Sequence, residues 1–150
     1  MKTVVVQGLG FVGLAMSVAV ASAQDKKNRN IYRVIGLDLA NELGKQKVKD
    51  INSGNFPINS TDKLLEESFD NCIKKGNLTA STNPEVISKA DYIIVDINLD
   101  VDTSQERGSV DFTGFKSAIN TIAKYIKQDA LLIIETTVPP GTTEKIVYPI

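Results

Sequence analysis

A β-branched run, Thr3 to Gln7, passes through Gly8-Leu9-Gly10-Phe11-Val12-Gly13 into a nearly all-apolar segment of helical length, Phe11 to Ala23. A strand that turns through G-x-G-x-x-G into a helix opens a βαβ unit. The first glycine permits the tight turn, the second lets the backbone approach a diphosphate, and the third lets the helix pack closely on the strand. Free N–H groups at the helix N-terminus meet the diphosphate charge, so the loop needs no lysine. Parallel strands require crossover helices, so the rest of the chain should alternate.

It does alternate. Tyr32 to Asp38 is a second strand, and Ala40, Leu43, Lys47, Val48 and Ile51 mark a helical stripe closed by Asn52-Ser53-Gly54. Leu64, Leu65, Ser68, Phe69, Cys72 and Ile73 form one apolar face of a helix from about Thr61 to Lys75, with Gly76 at its C′ position. Leu78 to Ser81 is a third strand, and Asn83-Pro84-Glu85 reads as a cap and first turn. Tyr92 to Ile97 is a fourth strand. Asp111 can cap a helix with the stripe Phe112, Phe115, Ile119, Ile122 and Ile126. Leu131 to Ile134 is a fifth strand, apolar throughout as a central parallel strand should be. After Pro139-Pro140-Gly141, Thr142 or Thr143 can cap a last helix. The expectation is an α/β, Rossmann-type doubly wound parallel sheet of about five strands in the order 3-2-1-4-5.

Composition narrows the chemistry. The 150 residues carry 17 basic and 18 acidic side chains, a balance that argues against a nucleic-acid binder. There is no histidine, which removes Ser-His-Asp and Cys-His catalysis and His-ligated zinc, and no metal site is expected. The single Cys72 lies on an apolar helical face and reads as a buried small hydrophobe. No apolar run reaches the ~18 residues of a membrane span. Ala21-Ser22-Ala23 imitates a secretory cleavage site, but Gly8, Gly10 and Gly13 interrupt the would-be signal helix and only Lys2 precedes it. A cytoplasmic, single-domain chain is the expectation.

The other strand ends add polar chemistry. Gly36-Leu37-Asp38 places a carboxylate where it could accept hydrogen bonds from an adenosine ribose; a helix N-cap is an equally natural role for Asp38. Asp38 follows the glycine loop by somewhat more than the usual ~20 residues, and the basic loop Gln24 to Asn30 accounts for the excess. Asp96-Ile97-Asn98-Leu99 and Glu135-Thr136-Thr137-Val138-Pro139 follow apolar strands, and open α/β sheets bind ligands at strand carboxyl ends.

Taken together, Gly8 to Leu14, Gly36-Leu37-Asp38, Val48 to Gly54 with Pro57, Ala90-Asp91 and Glu135 to Thr143 resemble the nucleotide-sugar dehydrogenases that oxidise UDP-sugars at C6, such as the UDP-glucose and UDP-N-acetylmannosamine enzymes. The resemblance implies NAD as cofactor and two successive oxidations, alcohol to aldehyde to acid, through a thiohemiacetal and thioester on a cysteine. It implies that Gly8, Leu9, Gly10, Phe11, Val12 and Gly13 hold the pyrophosphate and that Asp38 holds the ribose. Lys47 matches a basic position at the adenosine end, with a solvated helix lysine as the alternative. Ile97, Asn98, Leu99 and Thr137 would complete the cofactor site, and Thr137 matches a threonine that positions water for thioester hydrolysis, with a turn hydroxyl as the alternative. Cys72 does not match the family nucleophile. Where the family usually has Thr-Pro, this chain has Leu99-Asp100. The resemblance further implies a central helical segment and a UDP-sugar domain outside these residues, a homo-oligomer when full-length, and no turnover by residues 1–150 alone. A hydroxy-acid dehydrogenase or a free-standing dinucleotide-binding module are the competing readings.

Overall fold

The computed structural model describes residues 1–99, 101–102 and 109–150. Its elements are β1 (Lys2–Gln7), α1 (Phe11–Ser22), β2 (Tyr32–Leu37), α2 (Glu42–Asn52), α3 (Lys63–Lys75), β3 (Leu78–Ser81), a 3₁₀ turn (Pro84–Lys89), β4 (Tyr92–Val95), β5 (Val101–Asp102), β6 (Ser109–Val110), α4 (Thr113–Tyr125), β7 (Leu131–Ile134) and a π-helical turn (Thr143–Val147). The main sheet runs β3-β2-β1-β4-β7, all parallel, which is the expected 3-2-1-4-5 when its strands are counted alone. β5 and β6 pair separately and antiparallel.

Both faces of the sheet are covered, and β1 shows why it is central. Val4 and Val6 point into one core with Leu14, Val18, Phe69 and Cys72, while Val5 points into the other with Ile93, Phe115, Ile119 and Ile122. A strand buried on both faces needs an unbroken apolar run, and Val4-Val5-Val6 supplies it. Cys72 is buried in the first core, as its place on the apolar face of α3 implied. Two amides stitch the edges. Asn77 donates to the carbonyls of Ala21 (2.6 Å) and Tyr32 (3.1 Å), tying the end of α1 to the start of β2. Asn52, the last residue of α2, donates to the Ala80 carbonyl (2.9 Å) and accepts from the Ala80 N–H (2.8 Å), so its amide takes the place of a neighbouring strand along β3.

Several expectations need correction. β4 stops at Val95 rather than Ile97, because the Ile97 backbone is taken over by a side chain described below. α2 begins at Glu42, capped by Asn41, whose side chain accepts from Gly44 N–H (2.8 Å); Ala40 and Leu43 are exposed, so the inward stripe begins with Gly44 instead. A Cβ on Gly44 would collide with the Leu39 carbonyl oxygen. Leu64 is likewise exposed at the start of α3. Among the described residues β7 lies at the edge of the sheet: Leu131 and Ile133 are exposed, while Leu132 and Ile134 pack inward. Asp111 accepts from Thr113 N–H (2.8 Å) but lies one residue before the cap of α4, which is Phe112 and carries no side-chain cap. Neither Thr142 nor Thr143 caps the last turn, since the Thr142 hydroxyl donates back to the Pro139 carbonyl (2.7 Å). No helix among the described residues is long and apolar enough to cross a membrane.

Candidate functional site

The three loop glycines stand in three different surroundings. Gly8 has φ +102°, a left-handed conformation, and a Cβ there would strike the Asp96 carbonyl. A Cβ on Gly13 would strike the Gly8 carbonyl, so the first turn of α1 lies directly against the loop. Around Gly10 there is nothing within 4 Å of a Cβ position, and its side of the loop faces open space. Gly10 is also the N-cap of α1, and no side chain caps that end; no acidic residue lies in the first turn. Uncapped N–H groups beneath an open glycine face are the donor set a diphosphate needs. Phe11 and Val12 leave their side chains 62 % and 55 % exposed at the loop rim. Leu9 turns its side chain into the core, where it fills the space left by Gly36 of β2; only its backbone faces the loop.

On one side of the loop stands the end of β2. The Gly8 N–H donates to the Leu37 carbonyl (2.8 Å), which brings Asp38 beside the loop. Asp38 is not the helix cap, because Asn41 has that role. Its Oδ1 accepts from Leu39 N–H (2.8 Å) and its Oδ2 accepts from the Lys47 ammonium (3.2 Å), with the Asp38 side chain 14 % exposed. Lys47 is therefore not a freely solvated helix lysine. A carboxylate offers about four acceptor sites, so capacity remains for ribose hydroxyls.

On the other side, β4 and β7 end together. A cleft of about 280 Å³ is lined by Gly10, Phe11, Val12, Asp96, Ile97, Asn98, Leu99, Glu135, Thr136 and Thr137. Its wall is fixed by Thr136, which the sequence offers only as one of the polar residues after the last strand. The buried Thr136 hydroxyl accepts from Ile97 N–H (3.0 Å) and lies within donating distance of the carbonyls of Ile97 (3.0 Å) and Val95 (3.3 Å). Asp96 has one carboxyl oxygen, Oδ2, buried without a hydrogen-bond partner. Burial pushes the Asp96 carboxyl above its ordinary value; burial, then the charge of Asp96, does the same to Glu135. Thr137 is exposed on the cleft wall.

Gly10, Phe11, Val12, Ile97, Asn98, Leu99 and Thr137 thus share one cleft, while Asp38 and Lys47 form a pair across the glycine loop from it. A dinucleotide fits this arrangement as two halves straddling the point where the sheet order reverses beside β1. Asp100, half of the Leu99-Asp100 departure, lies outside the described residues.

Comparison with known proteins agrees with this geometry. Residues 1–150 match the family model of the UDP-glucose/GDP-mannose dehydrogenase family, NAD binding domain. Relatives include the UDP-N-acetyl-D-mannosamine dehydrogenases of Methanococcus aeolicus (34 % identical, covering 94 % of this chain and 28 % of the relative) and Escherichia coli (34 %, covering 95 % and 30 %). Among solved structures, the NDP-N-acetyl-D-galactosaminuronic acid dehydrogenase of Methanosarcina mazei superposes with a TM-score of 0.85 at 26 % identity, over 98 % of this chain and 30 % of that one. The chain therefore spans less than a third of the length of these relatives. With its parallel sheet, glycine loop and strand-end crevice, it belongs to the UDP-glucose/GDP-mannose dehydrogenase family and is the NAD-binding domain of that family.

Proposed function

We propose that this domain holds NAD for a nucleotide-sugar 6-dehydrogenase that converts the C6 alcohol of a UDP-sugar to a uronic acid in two oxidations. The observation that carries this is the open face of Gly10 above the uncapped N-terminus of α1, with Asp38 and the β4–β7 cleft on either side. When bound, NAD accepts the hydride. The chain's own residues bind and orient it: Gly8 to Gly13 receive the diphosphate, Asp38 accepts from the adenosine ribose, and Lys47 holds the Asp38 carboxylate in place. Ile97, Asn98 and Leu99 wall the other half. Thr137 is proposed as the catalytic residue that orients water, since it stands exposed on the same cleft wall. UDP-N-acetylmannosamine is the substrate favoured by the relatives' names.

Residues 1–150 alone should show no turnover with any UDP-sugar. The one cysteine is buried in the core between α1 and α3, 2 % exposed, and cannot trap an aldehyde. NADH formation by this chain would refute that. Cofactor choice is the sharper test. Asp38 accepts from the 2′-hydroxyl of NAD but repels the 2′-phosphate of NADP, and Lys47 is already engaged by the same carboxylate. Loss of such a bond amounts to about 1.5–3 kcal/mol, roughly ten- to a hundredfold in affinity. Calorimetry should therefore find NAD tighter than NADP, with Asp38→Ala removing the difference. Equal binding of the two by the parent chain would refute the role of Asp38.

A further inference from the structure

β4 and β7 pair with Val95 opposite Ile134, so the next residue on each strand, Asp96 and Glu135, projects from neighbouring positions into the same cleft. Two carboxyl groups are thereby brought together with no compensating cation among the described residues. α1 contributes Gly10, Phe11 and Val12 to the wall, β1 ends in Gln7, and Ile97, Asn98 and Leu99 follow Asp96; none of these is charged. The described ion pairs involve Asp25, Asp38, Glu42 and Asp91, and neither cleft carboxylate is among them. One oxygen of Asp96 is in addition buried without a partner. Nothing in the glycine loop calls for acids here, because a diphosphate is itself anionic.

The position of the pair suggests what it acts on. Asp38 and Lys47 claim the adenosine end on the far side of the loop, so a dinucleotide laid across the sheet reversal brings its nicotinamide end to the β4–β7 cleft. The oxidised and reduced cofactors share their diphosphate, riboses and adenine. They differ in the ring, which is cationic when oxidised and neutral when reduced. We propose that Asp96 and Glu135 make this site discriminate between the two redox forms, favouring oxidised NAD over NADH through the charge of the nicotinamide ring. The inference rests on the NAD-binding reading of the cleft. Burial holds both carboxyls above their ordinary values, with the charge of Asp96 adding to the effect on Glu135, and a cationic ring beside them favours their ionised forms. In a direction of reaction that consumes oxidised cofactor twice per substrate, such a site also loads the useful form and sheds the product.

The test compares the affinities of NAD, NADH and ADP-ribose for residues 1–150 by calorimetry at pH 8 and low salt. The expected result is NAD about tenfold tighter than NADH, the size of effect that part-solvated carboxylates exert on a unit charge. Glu135→Gln, at an exposed position, should cut that ratio several-fold, and Asp96→Asn should do the same. ADP-ribose, which lacks the ring, should bind the parent and both variants alike, which also reports that the variants are folded. Salt should shrink the ratio. ADP-ribose binding with a NAD-to-NADH ratio of one or less, or a ratio that neither variant moves, overturns the proposal while leaving the NAD site standing. Failure of all three ligands to bind overturns the site reading itself, and the inference with it.

Discussion

Replacing Thr136 by valine changes shape little but removes the hydroxyl that joins the end of β4 to the turn after β7. That hydroxyl has one proton, and the Ile97 carbonyl at 3.0 Å is better placed to receive it than Val95 at 3.3 Å. Its lone pair takes the Ile97 N–H, also at 3.0 Å. In Thr136→Val both bonds vanish, and an N–H and a carbonyl in a part-buried turn lose their partner. An unsatisfied buried group costs about 1–3 kcal/mol, so a loss near 2 kcal/mol is expected, offset only where the turn opens to water. For a domain of this size that corresponds to a Tm lower by about 4–8 °C. The assay is thermal unfolding of the parent, Thr136→Val and Thr136→Ser, with NAD affinity measured on each. Serine keeps the hydroxyl and should retain most of the stability, while valine should also weaken NAD binding because Ile97 and Asn98 are no longer held as a wall. A valine variant as stable as the parent, or a serine variant as damaged as valine, would refute the argument.

Gly10 and Gly13 should separate binding from folding. Gly10→Ala places a methyl in open space at a backbone conformation any residue can adopt, so Tm should move little while NAD affinity falls at least tenfold; Gly13→Ala, pressed against the Gly8 carbonyl, should cost about 1–3 kcal/mol, read in urea unfolding. Asp91 is held at a pKa of about 2 by the Thr3 N–H and then by Lys127. Because its folded value lies below the unfolded one, its stabilising contribution is present above pH ~4 and is lost as pH falls toward ~2. Asp91→Asn should therefore have a lower Tm than the parent at pH 7, with the gap closing across that window; a gap independent of pH would contradict the assignment.

The sheet order was readable because apolar strand runs are separated by crossover segments along the chain, and the right-handed crossover rule leaves few arrangements. The glycine loop was readable because Gly8 needs a left-handed backbone and Gly13 a close approach to the Gly8 carbonyl, while Gly10 leaves the loop an open face. The failures were local. Asp38 and Asn41 are both good cap residues three positions apart, and only the fold shows that Asn41 meets the Gly44 N–H while Asp38 pairs with Lys47. Leu131-Leu132-Ile133-Ile134 looks central because nothing in an apolar run distinguishes a strand buried on both faces from one at the edge. Thr136 does carry a signal in the sequence. Alternation along β7 turns Leu132 and Ile134 inward and extends to Thr136, leaving Glu135 and Thr137 on the outward phase. The meeting of Asp96 with Glu135 has no local signature, since it depends on the register between strands far apart in the chain.

The central place of β1 also has a consequence for how the chain must assemble. Val4 lies opposite Val34 on one side and Tyr92 on the other, so its two ladders close loops that differ roughly threefold in length, a difference of about 1 kcal/mol in closure entropy. During synthesis, the first ladder can form once β2 has emerged, whereas the second must wait for β4. Throughout that interval the Val4-Val5-Val6 run carries one unsatisfied edge. Sequence-distant pairing of this kind slows folding and leaves an adhesive intermediate. The strand that anchors the finished sheet is thus the part of the nascent chain most in need of protection from its neighbours.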